Sequence, residues 1–470
     1  MAKKKIKEQE DSTFDNAFDA PAEPSPLAFV RYDSATVNDV NREMFLHCDG
    51  RSADASNQPD VRSRLREFAR KEVANNSYAK GLTQIVASDM IGRGPRLQIE
   101  EDLGFNERVE QAFNDWANEI RLSEKLQTGK IAKMVDGEAF AIFYRDRRRT
   151  SVAKLNVKFI ECDHVATPYG MEDLDQEVDG IELDEFGDPR YYYILKDHPG
   201  GEYTRGMTEY TKLSADSVVH WFRQDRPEQH RGVSEFAPAL PLFYMLRRYT
   251  LATVEAAEAC ANFPLVLYTD SPAIQAVRGN KRPFASFPLA RGKMTTLPEG
   301  WELGQVRAEQ PVTNYPDFKR ELLAEVARCF SVPVNVISGD SSKHNYASGR
   351  LDFQTYHKAL DVERKRCEVQ VLSRIFEHWF EETYIRGVAP KMWIADHTPK
   401  ISWFWDGFPH VDPIKEANAQ ATRLRNFTTT FAEECARQGV DWTLRAQQIA
   451  KEQKRFRELG IDMNFFTSKK

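Results

Sequence analysis

The sequence contains no apolar run of the ~20 residues that a membrane-spanning helix needs. Its basic N-terminus, Met1–Lys7, is not followed by an apolar segment, so we expect neither a secretory signal nor a membrane partner. The six cysteines are scattered and form no Cys-x-x-Cys pair. This distribution predicts reduced core thiols of a cytosolic product and argues against a disulfide or zinc framework.

Sequence motifs of common enzymes are also missing. The chain has no His-Glu-x-x-His metal motif, no Gly-x-Ser-x-Gly nucleophile elbow and no complete phosphate-binding loop. Gly339–Lys343 has part of a phosphate-loop pattern, but it lacks the second glycine and a clear preceding strand. We therefore assign no catalytic residue, no metal ligand and no cofactor, and we expect that the protein is not an enzyme.

Individual charged residues that could carry acid–base chemistry have structural interpretations. His220 lies on a predicted strand and is interpreted as a buried or interface residue. Asp361, Glu363 and Glu368 alternate with the basic residues 364–366 on a predicted helix. This alternation is typical of ion pairs within the helix or between subunits rather than of a catalytic carboxylate pair.

The chain has no basic excess, because 71 acidic residues outnumber 65 lysines and arginines and give a net charge of -6. A protein that binds DNA with high affinity normally carries a strong basic patch. Arg145, Arg147, Arg148 and Arg149 form a dense local concentration of positive charge after a predicted strand. Such a run is usually a solvated hairpin tip, with an acidic partner subunit or DNA as the alternative contacts.

The apolar periodicity predicts two long helices joined by a polar loop. Pro316–Phe330 carries apolar residues four positions apart, and a second helical pattern runs from Ser348 to Tyr384. The intervening stretch, Ser331–Arg350, is polar, contains glycine and has no evident apolar anchor. An exposed loop between long helices usually has a role outside the core.

The remaining patterns predict an α+β chain. Residues 1–58 lack apolar periodicity and are expected to be extended or disordered. Helices are predicted at 61–92 (two, broken near Asn75), 105–120, 123–135, 235–262, 413–435 and 442–459. Strands are predicted at 96–100, 138–145, 154–160, 180–184, 191–195 and 218–222. The proline-rich stretch 263–311 is expected to form strands and loops, and the aromatic residues between 393 and 408 are expected to lie in a core.

Several short segments occur in one order along the chain: Arg64–Gly81, Ile91–Leu97, Asp136–Phe140, Arg226–Phe236, Ser331–Arg350 and Asp412–Ala419. Together they resemble the lambda-type family of tailed-phage portal proteins, and the resemblance is collinear from Arg62 to Gly460. Two positions depart from the family pattern. Glu228 stands where glycine is expected, and Gly349 stands where a small residue such as serine is expected.

The resemblance implies a portal fold with eight parts. They are an N-terminal arm (1–58), the first part of an α+β wing (59–232), stem helix 1 (233–262), a small β-containing clip (263–314), stem helix 2 (315–331), a tunnel loop (332–349), the second part of the wing with a long channel helix (350–411) and a helical crown (412–470). Lys343, His344, Asn345 and Arg350 would then line the DNA channel and contact phosphates weakly, without base specificity.

The resemblance also implies a function. The protein would form a ring with copies of itself, a dodecamer in the family, at one capsid vertex of the virion after assembly in the host cytoplasm. Double-stranded DNA would pass through the ring during packaging and ejection. The terminase large subunit, and later head–tail connector proteins, would dock on the clip, while scaffold and major capsid proteins would contact the wing. The alternatives are a DNA-processing enzyme and another structural protein of the phage head or connector.

Overall fold

The computed structural model describes residues 49–100, 106–149, 151, 153–169, 177–202, 209–262, 265–268, 302–305, 315–342, 345–386, 399–408 and 413–461. The chain divides into two units, Met1–Ser52 and Ala53–Lys470. In the described part of the first unit, Arg51 pairs with Asp49 at 2.9 Å. The second unit combines helices with antiparallel strands, in agreement with the predicted α+β class.

Helices make up most of the described residues of the second unit. In chain order they are α1 (Ala53–Ser56), α2 (Pro59–Asn75), α3 (Ser77–Ile91), α4 (Asn106–Glu119), α5 (Leu122–Asp136), α6 (Leu240–Asn262), α7 (Tyr315–Cys329), α8 (Val334–Ser338), α9 (Tyr346–Cys367), α10 (Ser373–Ile385), α11 (Pro413–Arg425), α12 (Phe431–Arg437) and α13 (Trp442–Glu458). A π-helical turn, Glu368–Leu372, joins α9 to α10 without a loop. Among the described residues, no helix is long and apolar enough to cross a membrane.

Within the described residues, the strands form four small antiparallel sheets. They are β1 (Arg96–Ile99), β2 (Glu138–Arg145), β3 (Leu155–Ile160), β4 (Glu177–Val178), β5 (Ile181–Leu183), β6 (Pro189–Leu195), β7 (Tyr210–Ser214), β8 (Val218–Phe222), β9 (Leu265–Tyr268), β10 (Glu302–Gln305) and β11 (Ile401–Phe404). The sheet orders are β1-β11, β9-β10, β3-β2-β8 and β4-β5-β6-β7. The first pair joins residues about 300 positions apart, with Leu97 opposite Trp403.

One large apolar core holds α3, α4, α5, β2, α7, α9 and α10 together. Its centre is aromatic. Phe113 of α4 contacts Trp379 of α10 edge to face, with ring centroids 5.1 Å apart, and also packs against Trp403 of β11. Trp403 and Trp405 are buried, which confirms the predicted core role for these two aromatic residues. Trp393 lies outside the described residues.

Most of the predicted helices and strands are present within a few residues of their predicted ends. The predicted helix 235–262 begins later, at Leu240, because residues 235–239 form turns that precede it. The predicted helix 413–435 is divided between α11 and α12. The chain turns between them at Phe427, whose positive φ of 54° cannot continue a right-handed helix.

The predicted extended arm 1–58 ends earlier than expected. Residues 1–48 lie outside the described part, but Ala53–Ser56 is helical. Asp54 accepts hydrogen bonds from the backbone N–H of His230 at 2.9 Å and from its Nδ1 at 2.6 Å. Asn57 Nδ2 donates to the carbonyl of Arg231 at 3.1 Å. The prediction is therefore wrong for residues 53–58, because polar side chains with distant partners hold this segment in place.

The stretch Ser331–Arg350 is not a continuous exposed loop. Val332 and Ile337 are buried in the main core, and a one-turn helix, α8, forms between them and Gly339. The expectation that this stretch lacks an apolar anchor is therefore wrong. Among the described residues beyond α8, Gly339–Ser342 and Asn345 are exposed, as predicted for this part of the stretch.

Candidate functional site

Two of the segments that carry the resemblance, Asp136–Phe140 and Arg226–Phe236, meet at a buried ion pair. Glu138, the first residue of β2, is fully buried. Its carboxylate accepts hydrogen bonds from Arg231 Nη2 at 2.6 Å, the backbone N–H of Gly232 at 2.8 Å and His220 Nε2 at 3.1 Å. His220 lies between the rings of Phe140 and Phe222, so its predicted burial is confirmed.

Glycine residues allow the two segments to approach this closely. Gly137 has a φ of 94°, and a Cβ at this position would lie 2.3 Å from the carbonyl carbon of Val233. A Cβ on Gly232 would lie 2.3 Å from the carbonyl oxygen of Gly137. Any larger residue would push the two segments apart. Glu228, which stands where glycine is expected, adopts a φ of 59°, so the loop keeps a left-handed turn without glycine.

The Glu138 ion pair belongs to a larger network of arginines and carboxylates that we call the arginine network. Arg231 also contacts Asp179 at 3.1 Å, and Arg62 of α2 pairs with the same carboxylate. Arg70 of α2 contacts Asp136 at 2.7 Å and Asp163 at 2.6 Å. The network joins α2, the start of β2, the turn after β4 and the loop before α6. It therefore holds together parts of the chain that are far apart in sequence.

Two buried members of the network, Glu138 and Arg231, are held in their charged forms by each other and by neighbouring groups. Burial opposes ionisation of Glu138, but the charge of Arg231 and the His220 hydrogen bond outweigh it and hold the pKa of Glu138 well below its ordinary value. Burial also opposes the charge on Arg231, yet Glu138 and Asp179 raise its pKa. Burial lowers the pKa of His220, although its bond to Glu138 acts in the opposite direction. These pairings identify a structural joint.

A second buried group, the lysine cluster, joins α5, the start of the segment leading to α6, and α9. Lys133 Nζ contacts Glu235 at 2.9 Å and Glu363 at 2.8 Å, and Lys130 Nζ contacts Glu363 at 3.4 Å. Burial lowers the pKa of Lys130, whereas the two carboxylates outweigh burial and raise the pKa of Lys133. Burial opposes ionisation of Glu363, but the two lysines lower its pKa.

The lysine cluster refines the predicted ion pairs of the long helix. Asp361 and Glu368 pair with Arg364 and Lys365 three residues away, as the intrahelical alternative predicts. Glu363 also contacts Arg366 within its own helix at 2.5 Å, but its contacts with Lys133 and Lys130, at 2.8 and 3.4 Å, reach another helix. Sequence reasoning missed this cluster. The available signal is the presence of Lys130 and Lys133 on the side of α5 that also carries Leu126 and Met134, all of them buried.

The predicted arginine patch lies at the tip of the β2–β3 hairpin. The side chains of Arg145 and Arg148 are 66% and 91% exposed, and Arg147 is also exposed. Arg149 is partly covered and donates to the carbonyl of Glu119 at 2.7 Å. Three of the four arginines are therefore exposed in the single chain, and the choice between a solvated tip and a contact with an acidic partner subunit or DNA stays a prediction. A shallow cleft of about 500 Å³ lies beside Arg149 and Lys125.

Lys125 in this cleft is committed to structural hydrogen bonds. Its Nζ donates to Asn156 Oδ1 at 2.6 Å and to the carbonyl of Val157 at 2.8 Å. Burial, with a contribution from Arg149, lowers the pKa of Lys125 to about 8. Both acceptors belong to β3, so the lysine fastens α5 to the sheet and is not presented to a ligand.

Only part of the predicted tunnel-loop set is described. Lys343 and His344 lie outside the described residues. Asn345 is the N-cap of α9: its Oδ1 accepts from the backbone N–H of Ser348 at 2.8 Å, and Ser348 Oγ accepts from the backbone N–H of Asn345. Arg350 is exposed on the first turns of α9 rather than in the loop. The structure therefore places Asn345 and Arg350 close together at the start of the helix.

One group of side chains has the composition of a metal site. Glu161, Asp163 and His198 each offer a ligand atom, and these atoms lie within 4.8 Å of one another. Asp163 already contacts Arg70 at 2.6 Å and Arg66 at 3.7 Å. Two guanidinium groups at one carboxylate disfavour a further cation through charge repulsion. We therefore assign no metal to this group.

The buried charged residues of the arginine network and the lysine cluster pair with one another and fasten distant elements together. Comparison with known families identifies the class of protein. The family described as "Phage portal protein, lambda family" matches residues 46–364, about two thirds of the chain. The chain belongs to the lambda family of phage portal proteins, as the sequence resemblance predicts.

Curated relatives extend the similarity over most of the chain. The probable portal protein of Halomonas phage phiHAP-1 is 24% identical over 431 residues, which cover 84% of this chain and 81% of the relative. Portal protein B of Escherichia phage lambda is 20% identical over 437 residues, 82% of each chain. The structural neighbours include a chain from the neck of an empty gene transfer agent (GTA) particle computed with sixfold symmetry. It is 14% identical with a TM-score of 0.47 and covers 83% of this chain and 94% of its own.

Proposed function

We propose that this protein assembles into a portal ring at a unique capsid vertex and that double-stranded DNA passes through the ring during packaging and ejection. Membership of the lambda portal family supports a structural role at the neck of a phage-like particle. The strongest structural support for the proposal is the pair of helices α6 and α7 with a short β-ribbon between them. The proposal needs no catalytic group and no cofactor.

The helix pair has the geometry expected of a two-helix stem. Tyr249 of α6 stacks on Tyr315 of α7 with ring centroids 5.6 Å apart, and it lies 4.5 Å from the ring of Phe318. Thr250 Oγ1 and Tyr315 Oη are 3.2 Å apart. The start of α7 therefore lies beside the middle of α6. The chain that leaves α6 must accordingly turn back and return to the side of the same helix.

The segment between these helices supports the assignment of a clip. Strand β9 begins three residues after α6 and pairs antiparallel with β10, with Leu265 opposite Gln305. The antiparallel pairing brings the end of β10 back beside the start of β9. We assign residues 263–314 to the clip, on which the terminase large subunit and later the head–tail connector proteins would dock. Residues 233–262 and 315–331 form the stem.

The segment after α7 is assigned to the tunnel loop. Val332 and Ile337 anchor its first half in the core, so that the exposed residues Ser341, Ser342 and Asn345 follow a fixed base. Lys343, His344 and Arg350 would contact DNA phosphates weakly, and a net charge of -6 is compatible with DNA that slides past without tight binding. The wing (59–232 and 350–411) would face scaffold and major capsid proteins, and residues 412–470 would form the crown.

Electron microscopy of the purified full chain tests the proposal. We expect rings with a central hole, twelve subunits being the number in the family, and a particle mass several times that of the 54.1 kDa chain. Deleting residues 265–310 is expected to leave the rings intact and to abolish pull-down of the terminase large subunit, because closing a shorter connection costs little. Rings that bind the motor normally after this deletion would remove the clip assignment. A monomer at all concentrations, with scaffold added, would contradict the proposal itself.

A further inference from the structure

The outer side of α9 carries a stripe of exposed residues, and half of them are large apolar residues that a fully solvated helix face normally lacks. Its residues are spaced alternately by four and three positions and so lie on one face: Leu351, Thr355, Lys358, Val362, Lys365 and Val369. Leu351 is 65% exposed and Val369, in the π turn, is 60% exposed. The opposite side of the helix, with Tyr356 and Leu360, is buried in the main core.

This α9 stripe has the seven-residue repeat of helices that pack side by side. Leu351, Lys358 and Lys365 form one row, and Thr355, Val362 and Val369 form the adjacent row. Apolar side chains alternate with lysines along the stripe. A surface that faces DNA would gain nothing from exposed leucine and valine, whereas a helix of another protein chain would cover them. The stripe therefore favours a protein partner.

Helix α6 carries a second exposed stripe with the same repeat, and the second half of this stripe is acidic. Tyr244, Leu251 and Glu258 form one row, and Arg248 and Glu255 form the adjacent row. Tyr244 is 62% exposed and Leu251 is 55% exposed. The side of α6 that faces its own chain holds Phe243 and Leu246, which are buried. Thus the α6 stripe is also directed away from the core of its own subunit.

The two stripes complement each other in charge and in apolar character. The α9 stripe carries Lys358 and Lys365, and the α6 stripe carries Glu255 and Glu258. Both are exposed in one subunit, so they do not cover each other within the chain. A closed ring requires two different surfaces on each subunit, one for each neighbour. We propose that the α9 stripe of one subunit packs on the α6 stripe of a second copy of this chain.

This inference rests on the proposed ring and adds the residues that hold neighbouring subunits together. Two complementary charge-reversal variants of the full chain test it. In the first, Lys358→Glu and Lys365→Glu make both stripes acidic; in the second, Glu255→Lys and Glu258→Lys make both basic. Like charges then face each other between identical subunits, and we expect the assembled fraction of each variant alone to fall at least about tenfold.

Mixing the two variants provides the decisive readout. In an alternating ring, every acidic α9 stripe meets a basic α6 stripe and every basic α9 stripe meets an acidic α6 stripe. We therefore expect rings to form from the equimolar mixture and to contain both variants. Lys71→Glu combined with Lys80→Glu, at exposed positions of α2 and α3, is the matched control and should assemble like the wild type. Circular dichroism verifies that each variant is folded.

The outcomes separate this inference from the proposed function. If the wild type forms rings but the mixture does not, or if each variant assembles normally alone, the stripe pairing is wrong and the ring remains. Loss of assembly in the control would also overturn it, since the effect would then be general repulsion. Normal rings that fail only to retain DNA would assign the α9 stripe to DNA contact instead. If the wild type forms no ring, the proposed function fails.

A cross-linking variant gives a second measurement that does not depend on charge. In Leu251→Cys with Val362→Cys, a short bis-maleimide reagent should join neighbouring subunits into a ladder of multimers. Each single-cysteine variant, which retains the native cysteines, should give no such ladder. Assembled rings of the double variant that yield only monomer bands would count against the pairing.

Discussion

The charged residues at the two ends of strand β2 lie in opposite environments. Glu138 at its first residue is fully buried, whereas the side chain of Arg145 at its last residue is 66% exposed. The buried end has partners from three directions, and the exposed end leads into a hairpin tip of exposed arginines. The comparison indicates that charge at one end fixes the fold, while charge at the other is available for contacts outside the subunit.

The physical difference lies in the cost of removing a charge from water. A buried carboxylate is tolerated only when other groups replace its hydration, and Glu138 has an arginine, a histidine and a backbone N–H for this purpose. At the hairpin tip, Arg148 pairs with Asp146 at 3.1 Å in contact with solvent. Exposed pairs of this type contribute little because water and salt screen them.

The largest effect is expected from breaking the buried end. Glu138→Ala leaves Arg231 inside the protein with Asp179 as its remaining carboxylate partner at 3.1 Å. We expect the free energy of unfolding to fall by about 3–5 kcal/mol, measured by urea denaturation. The matched control is Arg148→Ala, which we expect to change it by at most ~0.5 kcal/mol.

Equal effects of the two substitutions would show that the buried network contributes no more than the exposed pair. That result would contradict the assignment of the arginine network as the joint between α2, β2 and the loop before α6. A second check is Gly137→Ala, which changes no charge but places a methyl group against the backbone of Val233 and Ser234. We expect it to destabilise the same joint, because its collision partners are backbone atoms.

The lysine cluster extends the comparison to pH. The pKa of Glu363 is lowered in the folded protein, despite burial, by Lys130 and Lys133. Its stabilising contribution is therefore fully present above the unfolded value of about 4.3 and is lost as the pH falls through that value toward the folded pKa. Glu363→Gln should cost about 2 kcal/mol at neutral pH, and the difference from wild type should shrink below about pH 5.

Urea denaturation at a series of pH values from neutral to acid measures this difference. Glu377→Gln is the control, because Glu377 is exposed on α10. We expect its curve to parallel that of the wild type. The Glu363→Gln curve could instead run parallel to that of the wild type down to about pH 3. That result would show that the ionisation of Glu363 does not depend on the two lysines.

Local sequence patterns predicted much of the fold. The apolar runs of β2 and β8 and the four-residue spacing of α7 gave their boundaries within one or two residues. Strand β7 was not predicted, because it lies at an exposed edge of its sheet and has little apolar alternation. Helix α8 was also not predicted, because five residues are too few to display a helical period, even though Ile337 is buried.

The candidate sites were harder to predict, for a physical reason. Lys133 and Glu363 are 230 positions apart, and nothing in the local pattern around either residue reveals the other. Glu138 and Arg231 were singled out only as members of separate short segments. The exposed arginines of the hairpin tip were readily found because a run of like charges is visible in the sequence itself. Pairing across the fold depends on tertiary structure, which local periodicity does not contain.

The smallest effect on stability, and the sharpest test of function, concerns the exposed cations. Lys343→Ala with Arg350→Ala removes the two cations assigned to the channel, whereas Arg147→Ala with Arg148→Ala removes two from the hairpin tip. We expect both pairs to change the free energy of unfolding by at most ~0.5 kcal/mol and to assemble normally. Only the first pair should impair DNA packaging or retention, measured as nuclease-protected DNA per particle. Equal packaging by both would remove the channel assignment, and failure of the first pair to assemble would make its residues structural.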